Sequence, residues 1–253
     1  MKTLIKAVIY GRSGTGKTTF SSSFPKPILF LDVKDDGLAS VGDSKDCDYL
    51  RIEDWDSFEE IYWYLKENTK YKTVVIDTIS QLQELAMTAA LDKKASKSAV
   101  VKQKGDWGTM TRREWGDVAA LMKTWLVNYR DLNMNVVFIA QDRTFNIDED
   151  GGSVDQQLMP EVGPRLMPSV AAVLNAAVSV IGHTYIRINS KKVRNKEGKI
   201  YKKEVPEYCL RIGPNPVYTT KVRKPKDIIV PNAIIDPTYD SLMDTLKGET
   251  ANG

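Results

Sequence analysis

Chemistry that depends on histidine or on paired cysteines has little to work with in this chain. Its 253 residues include one histidine and two cysteines. A single imidazole excludes multi-histidine zinc sites, and His183 lies in an apolar, strand-like stretch that reads as structural rather than catalytic. Cys47 and Cys209 stand far apart with no metal-ligand spacing around them, so both read as plain thiols. Long hydrophobic runs are missing too. None approaches the ~18 residues of a membrane-spanning helix, and Met1-Lys2-Thr3 leads straight into a core-like strand without the apolar segment of a secretory leader. The expectation is a protein with no membrane association, in the cytoplasm. Internal repeats and low-complexity segments are also absent.

What is present is an ordinary globular composition, 42% hydrophobic and 27% charged, enough for a sizeable core. Net charge is only +3, but its signs are segregated along the chain. Lys93, Lys94, Lys97, Lys102 and Lys104 form one basic run, followed by Trp107. Lys191, Lys192, Arg194, Lys196, Lys199, Lys202 and Lys203 form a second, and Asp35, Asp36, Asp43, Asp46 and Asp48 an acidic one.

The most informative stretch is Gly11-Arg12-Ser13-Gly14-Thr15-Gly16-Lys17-Thr18, between the apolar run Leu4 to Tyr10 and the polar segment Thr19 to Ser23. It fits G-x-x-x-x-G-K-[ST] at every fixed position, in a strand–loop–helix setting. A chance match in a chain of this length arises about once in a hundred. The residue types answer the needs of a polyphosphate. Glycines let successive backbone N–H groups turn toward phosphate oxygens, Lys17 supplies a point charge for the β- and γ-phosphates, and Thr18 a hydroxyl for Mg²⁺. Residues 11–19 are the expected nucleotide contacts.

Buried strands and helices then alternate. Pro27 to Val33 reads as a strand ending near Asp32, Lys34 to Asp48 as an acidic loop, and Asp56 or Ser57 as the cap of a helix through Leu65. Thr73 to Thr78 is a short apolar strand ending in Asp77, the Walker B form, whose carboxylate would hold the Mg²⁺ hydration shell. Helices are expected over Ile79–Leu91 and Arg112–Arg130, separated by a lysine-rich loop, and a strand over Asn135–Gln141. A long polar segment, Thr144 to Pro168, follows. A short helix over Ser169–Ala177, a strand over Val178–Ile188, a hairpin tip over Lys191–Tyr201 with its turn at Asn195–Gly198, strands over Tyr208–Ile212 and Val217–Val222, and a final helix over Pro237–Leu246 complete the chain. The expected fold is α/β, with a mostly parallel central sheet flanked by helices and a short β-strand extension in the last third. Residues 1–236 form the core and residues 237–253 a C-terminal helix and tail. Ligands of such sheets sit outside the carboxyl ends of the strands, where the glycine-rich loop, Asp32, Asp77 and Gln141 all fall.

With GRSGTGKT at 11–18, LFLD at 29–32, VVIDT at 74–78, VVFIAQDR at 136–143 and Lys-Val-Arg at 221–223, the chain resembles the RecA-like P-loop ATPase core over nearly its whole length. It is most similar to the minimal phage-encoded members, the phage nucleotide-binding or Sak-type single-strand annealing recombinases. The resemblance implies ATP and Mg²⁺ as ligands and single-stranded DNA as partner, with a single-strand DNA-binding protein as a further candidate. It implies a homo-oligomeric ring or filament in a bacterial host cell, in which Lys221 and Arg223 act in trans on the ATP of the next subunit. Gln141 would sense the γ-phosphate and signal to a DNA-binding loop at about 144–165. One position departs from the pattern. The water-activating glutamate usual two residues after Asp32 is replaced by Lys34, a poor base unless its pKa is lowered; Asp35 or Asp36 would stand in, and otherwise turnover is slow.

Lys93, Lys94, Lys97, Lys102, Lys104 and Trp107 are the expected DNA contacts, charges for phosphates and an aromatic for bases. Lys17, Asp77, Gln141 and Asp35 are the expected catalytic set. Two other readings are a P-loop kinase of small molecules, for which no compact arginine-rich lid is seen, and a nucleotide switch that hardly hydrolyses ATP.

Overall fold

The computed structural model describes residues 4–33, 46–68, 70–95, 110–145, 160–194 and 200–249. In chain order these form β1 (Lys6–Tyr10), α1 (Lys17–Ser22), β2 (Ile28–Val33), β3 (Cys47–Ile52), α2 (Trp55–Glu67), β4 (Thr73–Asp77), α3 (Ile79–Ala95), α4 (Arg112–Arg130) and β5 (Asn135–Ala140). There follow β6 (Asp142–Phe145), β7 (Glu161–Pro164), α5 (Pro168–Ala177), β8 (Val180–Arg194), β9 (Ile200–Arg211), β10 (Lys221–Val222), β11 (Ala233–Ile235) and α6 (Tyr239–Lys247).

One sheet carries the fold, in the order β11-β9-β8-β1-β5-β4-β2-β3, with β10 added to β8. From β8 to β3 every pairing is parallel, whereas β9, β10 and β11 join antiparallel. Parallel strands must be covered on both faces, and β2, β4 and β5 are buried at every residue. Alternate residues of each strand supply two separate cores. Val8, Tyr10, Leu29, Leu31, Val74, Ile76, Val136 and Phe138 pack under α2 to α5. Ala7, Ile9, Ile28, Phe30, Val75, Val137 and Ile139 pack against Phe20 and Phe24 near α1 and Leu242 of α6. The register aligns the carboxyl ends, with Tyr10 opposite Ala140, Ile139 opposite Asp77, and Asp77 opposite Asp32.

Helix starts follow the side-chain chemistry of their caps. Thr111 and Glu114 form a reciprocal capping box that starts α4 where the sequence pattern places it. α2 begins two or three residues earlier than expected, because the cap is Asp54, not Asp56 or Ser57, and its side chain accepts the Ser57 N–H at 2.7 Å. β3 occupies part of what reads as an acidic loop. It is an edge strand, buried only at Cys47 and Ile52 and open to solvent between them, so it lacks the apolar run that marks its neighbours. The second half of β6 and all of β7, four residues each, likewise lie inside the polar stretch 144–168. The extension of the last third contains a long hairpin: β8 and β9 pair from His183–Arg211 out to Arg194–Ile200, while β1 ends opposite His183. The strands thus run on as a two-stranded arm beyond the sheet. Among the described residues no helix is long and apolar enough to cross a membrane.

His183 sits at the root of that arm, buried, with its ring stacked on Tyr218 at a centroid distance of 4.3 Å and 5.1 Å from the Tyr10 ring. Its Nδ1 has no hydrogen-bond partner among the described residues. Burial, reinforced by the Arg211 charge, pushes its pKa down to about 4. Because the folded value lies below the unfolded one, full stability is present above about pH 6.5, is lost as pH falls, and the loss levels off below about pH 4. A shift of that size corresponds to roughly 3 kcal/mol, so urea unfolding at pH 7 and pH 4.5 is expected to differ less in His183→Phe, which keeps the stack, than in the wild type. In the centre of the sheet, Phe138→Ala is expected to lower unfolding free energy by about 3–5 kcal/mol, read from the denaturation midpoint.

Candidate nucleotide site at the carboxyl edge of the sheet

β1 ends at Tyr10 and the chain turns at once. Gly11 is where the turn meets the rest of the molecule: a β-carbon there would stand 2.5 Å from both the carbonyl and the hydroxyl oxygen of Thr184 on β8. Gly14 and Gly16 adopt φ of 77° and 85°, which L side chains resist. The loop is braced from inside. Thr15 Oγ1 donates to Arg12 O at 2.7 Å and lies 2.7 Å from Thr184 Oγ1. Lys17, buried at 8% exposure, donates to the carbonyls of Gly11 and Arg12 at 2.8 and 2.7 Å. A cation is therefore held within the loop in advance of any anion.

The Thr18 hydroxyl at the start of α1 donates to Asp77 Oδ2 at 2.8 Å, although β5 separates β1, which leads into that helix, from β4, which ends at Asp77. Among the described residues no three His, Cys, Asp or Glu gather into a metal cage. A hydroxyl beside one carboxylate instead suits Mg²⁺, which keeps several waters and takes oxygens from phosphate. Residues 12–19, Asp77 and Gln141 line one cavity of about 850 Å³. A glycine without room for a side chain, two more at positive φ, a buried lysine and a hydroxyl–carboxylate pair fit a magnesium-bound polyphosphate.

Gln141 follows β5 at the same edge and is held on three sides. Its N–H donates to Ser80 Oγ at 3.1 Å, its carbonyl accepts the Arg165 N–H at 2.7 Å, and its side-chain Oε1 accepts from Arg165 Nη1 at 2.7 Å. Ser80 Oγ in turn donates to Arg165 O at 3.0 Å. Arg165 directly follows β7, so this cluster ties the cavity to the β6–β7 pair. Nothing in the sequence marks Arg165, one arginine at the end of a polar stretch. The far wall was equally hidden: Tyr208 of β9 and the turn Asp236-Pro237-Thr238 line the cavity, and only the Asp-Pro dipeptide before a helix signals a turn there.

Other expected residues lie elsewhere. Lys221 donates to the carbonyls of Asn175 and Ala176, and Arg223 to that of Ala176, at the C-terminal end of α5. β10, which holds Lys221 and ends just before Arg223, pairs with the first residues of β8, and the Arg223 N–H donates to Ser179 O at 2.8 Å; both residues thus lie at the amino edge of the sheet, away from the loop of their own chain. Burial and the neighbouring Arg223 lower the Lys221 pKa. Lys93 and Lys94 fall in the last turn of α3, and their side chains lie outside the description. Asp35, Asp36 and Lys34, Lys97, Lys102, Lys104 and Trp107, and residues 146–159 of the expected DNA-binding loop lie outside the described residues.

Among solved structures, the flagellar accessory protein FlaH from Methanocaldococcus jannaschii is similar over 92% of this chain and 89% of its own, at 9% identity and a TM-score of 0.36. The RadB recombinase is similar over 81% of this chain and 86% of its own, at 12% identity and a TM-score of 0.41. No curated protein sequence matches. A family model described as an AAA domain matches residues 3–224, nearly the whole chain. The chain belongs to that AAA domain family, and its glycine-rich loop at the carboxyl edge of a mostly parallel sheet accords with a nucleotide-binding ATPase fold.

Proposed function

We propose that the chain is an ATP-hydrolysing, single-stranded-DNA-binding recombination or annealing protein of a phage, active as a ring or filament. The observation that carries this reading is the placement of Lys17, Thr18, Asp77 and Gln141 on one cavity, with Gln141 bonded to Arg165 at the foot of the β6–β7 pair. Thr18 and Asp77 would hold Mg²⁺, which when bound supplies charge neutralisation at the phosphates. Lys17 and the loop N–H groups orient the triphosphate. Gln141 stands between the cavity and β6–β7, so a change in what its side chain bonds to reaches the segment expected to hold DNA. Asp35 is the proposed base, in the absence of a glutamate at Lys34, and Lys221 and Arg223 the groups offered to the next subunit. To act in trans they would exchange the α5 carbonyls for phosphate oxygens.

DNA binding draws support from the arm. Lys191 faces Lys203 and Lys192 faces Lys202 across β8–β9, and like charges directly opposite each other destabilise a ribbon. Glu207 offsets Arg187 at 2.8 Å and Lys191 at 3.5 Å, and Lys192, Lys202 and Arg194 share the opposite face of the ribbon. A polyanion relieves that repulsion. Together with the lysine run 93–104 and Trp107, the arm would supply phosphate contacts whose strength falls with salt.

Lys34 favours a second reading, a nucleotide switch with little turnover. Phosphate release from ATP, with and without single-stranded DNA and with Lys17→Ala as the blank, separates the two. DNA-stimulated release is expected in the wild type and none in Lys17→Ala. ATP binding without release would establish the switch. Gln141→Ala is expected to keep ATP binding while losing the stimulation by DNA. Replacing Lys192 and Lys202 by glutamine should flatten the plot of log affinity for oligo-dT against log salt by about 0.7 for each phosphate contact removed; an unchanged slope would remove the arm from the DNA site.

A further inference from the structure

At about 850 Å³ the cavity is larger than a phosphate tail needs. Loop residues 12–19 line it together with Tyr208 and the turn Asp236-Pro237-Thr238. Tyr208 lies against the loop itself: a β-carbon on Gly16 would stand 3.4 Å from Tyr208 Cδ1. The ring is 42% exposed, and among the described residues no other aromatic ring stacks on it. A tyrosine fixed at its root in a strand, beside a phosphate-binding loop and open on one face, is a stacking platform without an occupant from its own chain.

The turn opposite is held in an unusual conformation. Asp236 has φ of 45°, the only positive φ outside glycine among the described residues. Its N–H donates to the Tyr208 carbonyl at 2.7 Å, tying the turn to the strand that carries the ring. Behind it, the Thr238–Ser241 capping box starts α6, and the Tyr239 N–H donates to Ser23 Oγ at 2.8 Å, just past α1. Both flanks of Asp236 are thus anchored, one to β9 and one to the helix that follows the glycine-rich loop. Strained residues kept in place by such anchors cluster at ligand clamps. The exposed Asp236 carboxylate can only accept hydrogen bonds, so it favours an edge that carries an amino group.

From these observations we infer that Tyr208 and the Asp236–Thr238 turn form the nucleobase subsite, with Tyr208 stacking on a purine and Asp236 accepting from its exocyclic amino group. The inference rests on the nucleotide reading of the glycine-rich loop. Calorimetric binding of ADP and of inorganic tripolyphosphate tests the two separately, because tripolyphosphate has no base. Tyr208→Ala is expected to weaken ADP about tenfold to a hundredfold while tripolyphosphate binds as in the wild type, and Tyr208→Phe is expected to restore ADP binding. Retained tripolyphosphate binding also shows that the variant is folded. Asp236→Asn, which tolerates the same backbone conformation, is expected to narrow the preference for ADP over the diphosphate of purine riboside, which lacks the amino group. Unchanged ADP affinity in Tyr208→Ala overturns the inference, as does an equal loss of both ligands, which would make the ring a brace for the loop. Failure of the wild type to bind either ligand would overturn the nucleotide reading itself.

Discussion

The close approach of Gly11 to Thr184 governs how this molecule is put together. With 2.5 Å between a notional β-carbon and two oxygens of the neighbouring strand, the backbone of the loop can take its course only because residue 11 has no side chain. Thr184 answers with a hydroxyl that meets both Thr15 and the Tyr10 carbonyl, at 2.7 and 3.2 Å. The loop is therefore welded to β8 rather than perched on the end of β1. Its internal hydrogen bonds, from Thr15 and Lys17 to the Gly11 and Arg12 carbonyls, have a rigid frame to work against. A site that must surround a dense anion benefits from such preorganisation, since little ordering remains to be done on binding.

The rest of the site depends on register. Because β1 pairs with β5 and β5 with β4, Thr18 reaches Asp77 across an intervening strand, and a slip of one residue in β5 would turn every side chain of that strand to the other face. Buried polar groups guard against that slip at the other end of the sheet. The Asn135 side chain accepts the Ile5 N–H at 2.9 Å and donates to Lys72 O at 3.1 Å, so β1, β5 and the start of β4 are pinned together. Lys6 reinforces the pin by donating to the carbonyls of Leu132 and Met134, and its burial draws its pKa down to about 8.

Much of this was legible in the residues themselves. Continuous apolar runs such as Val74-Val75-Ile76 and Val136-Val137-Phe138-Ile139 announce strands buried on both faces, and the glycine pattern at 11–18, Asp77 and Gln141 are the residues that come to line one cavity. What stayed hidden had a common physical cause. β3 is buried only at its ends and carries no run; β6 and β7 are four residues long; β9 begins well before the apolar stretch at Tyr208 that marks it in the sequence. Arg165, Tyr208 and Asp236 belong to the cavity through contacts between segments far apart in sequence, and no spacing rule connects residue 16 with residue 208. The hairpin tip was readable from Lys191 to Tyr201, but the continuous pairing of β8 with β9 behind it was not, because exposed lysines look alike in a strand and in a coil.

That reach has a mechanical side. From Thr184 to Arg194 the eleven residues of β8 beyond its last pairing with β1 extend roughly 36 Å at a strand's rise. Their root is the threonine that touches the glycine-rich loop, and their partner strand carries Tyr208 in the lining of the same cavity. A ribbon that tilted there would act as a lever with a very short inner arm. Each tilt of about 5° at its root would sweep the lysine-bearing end through about 3 Å.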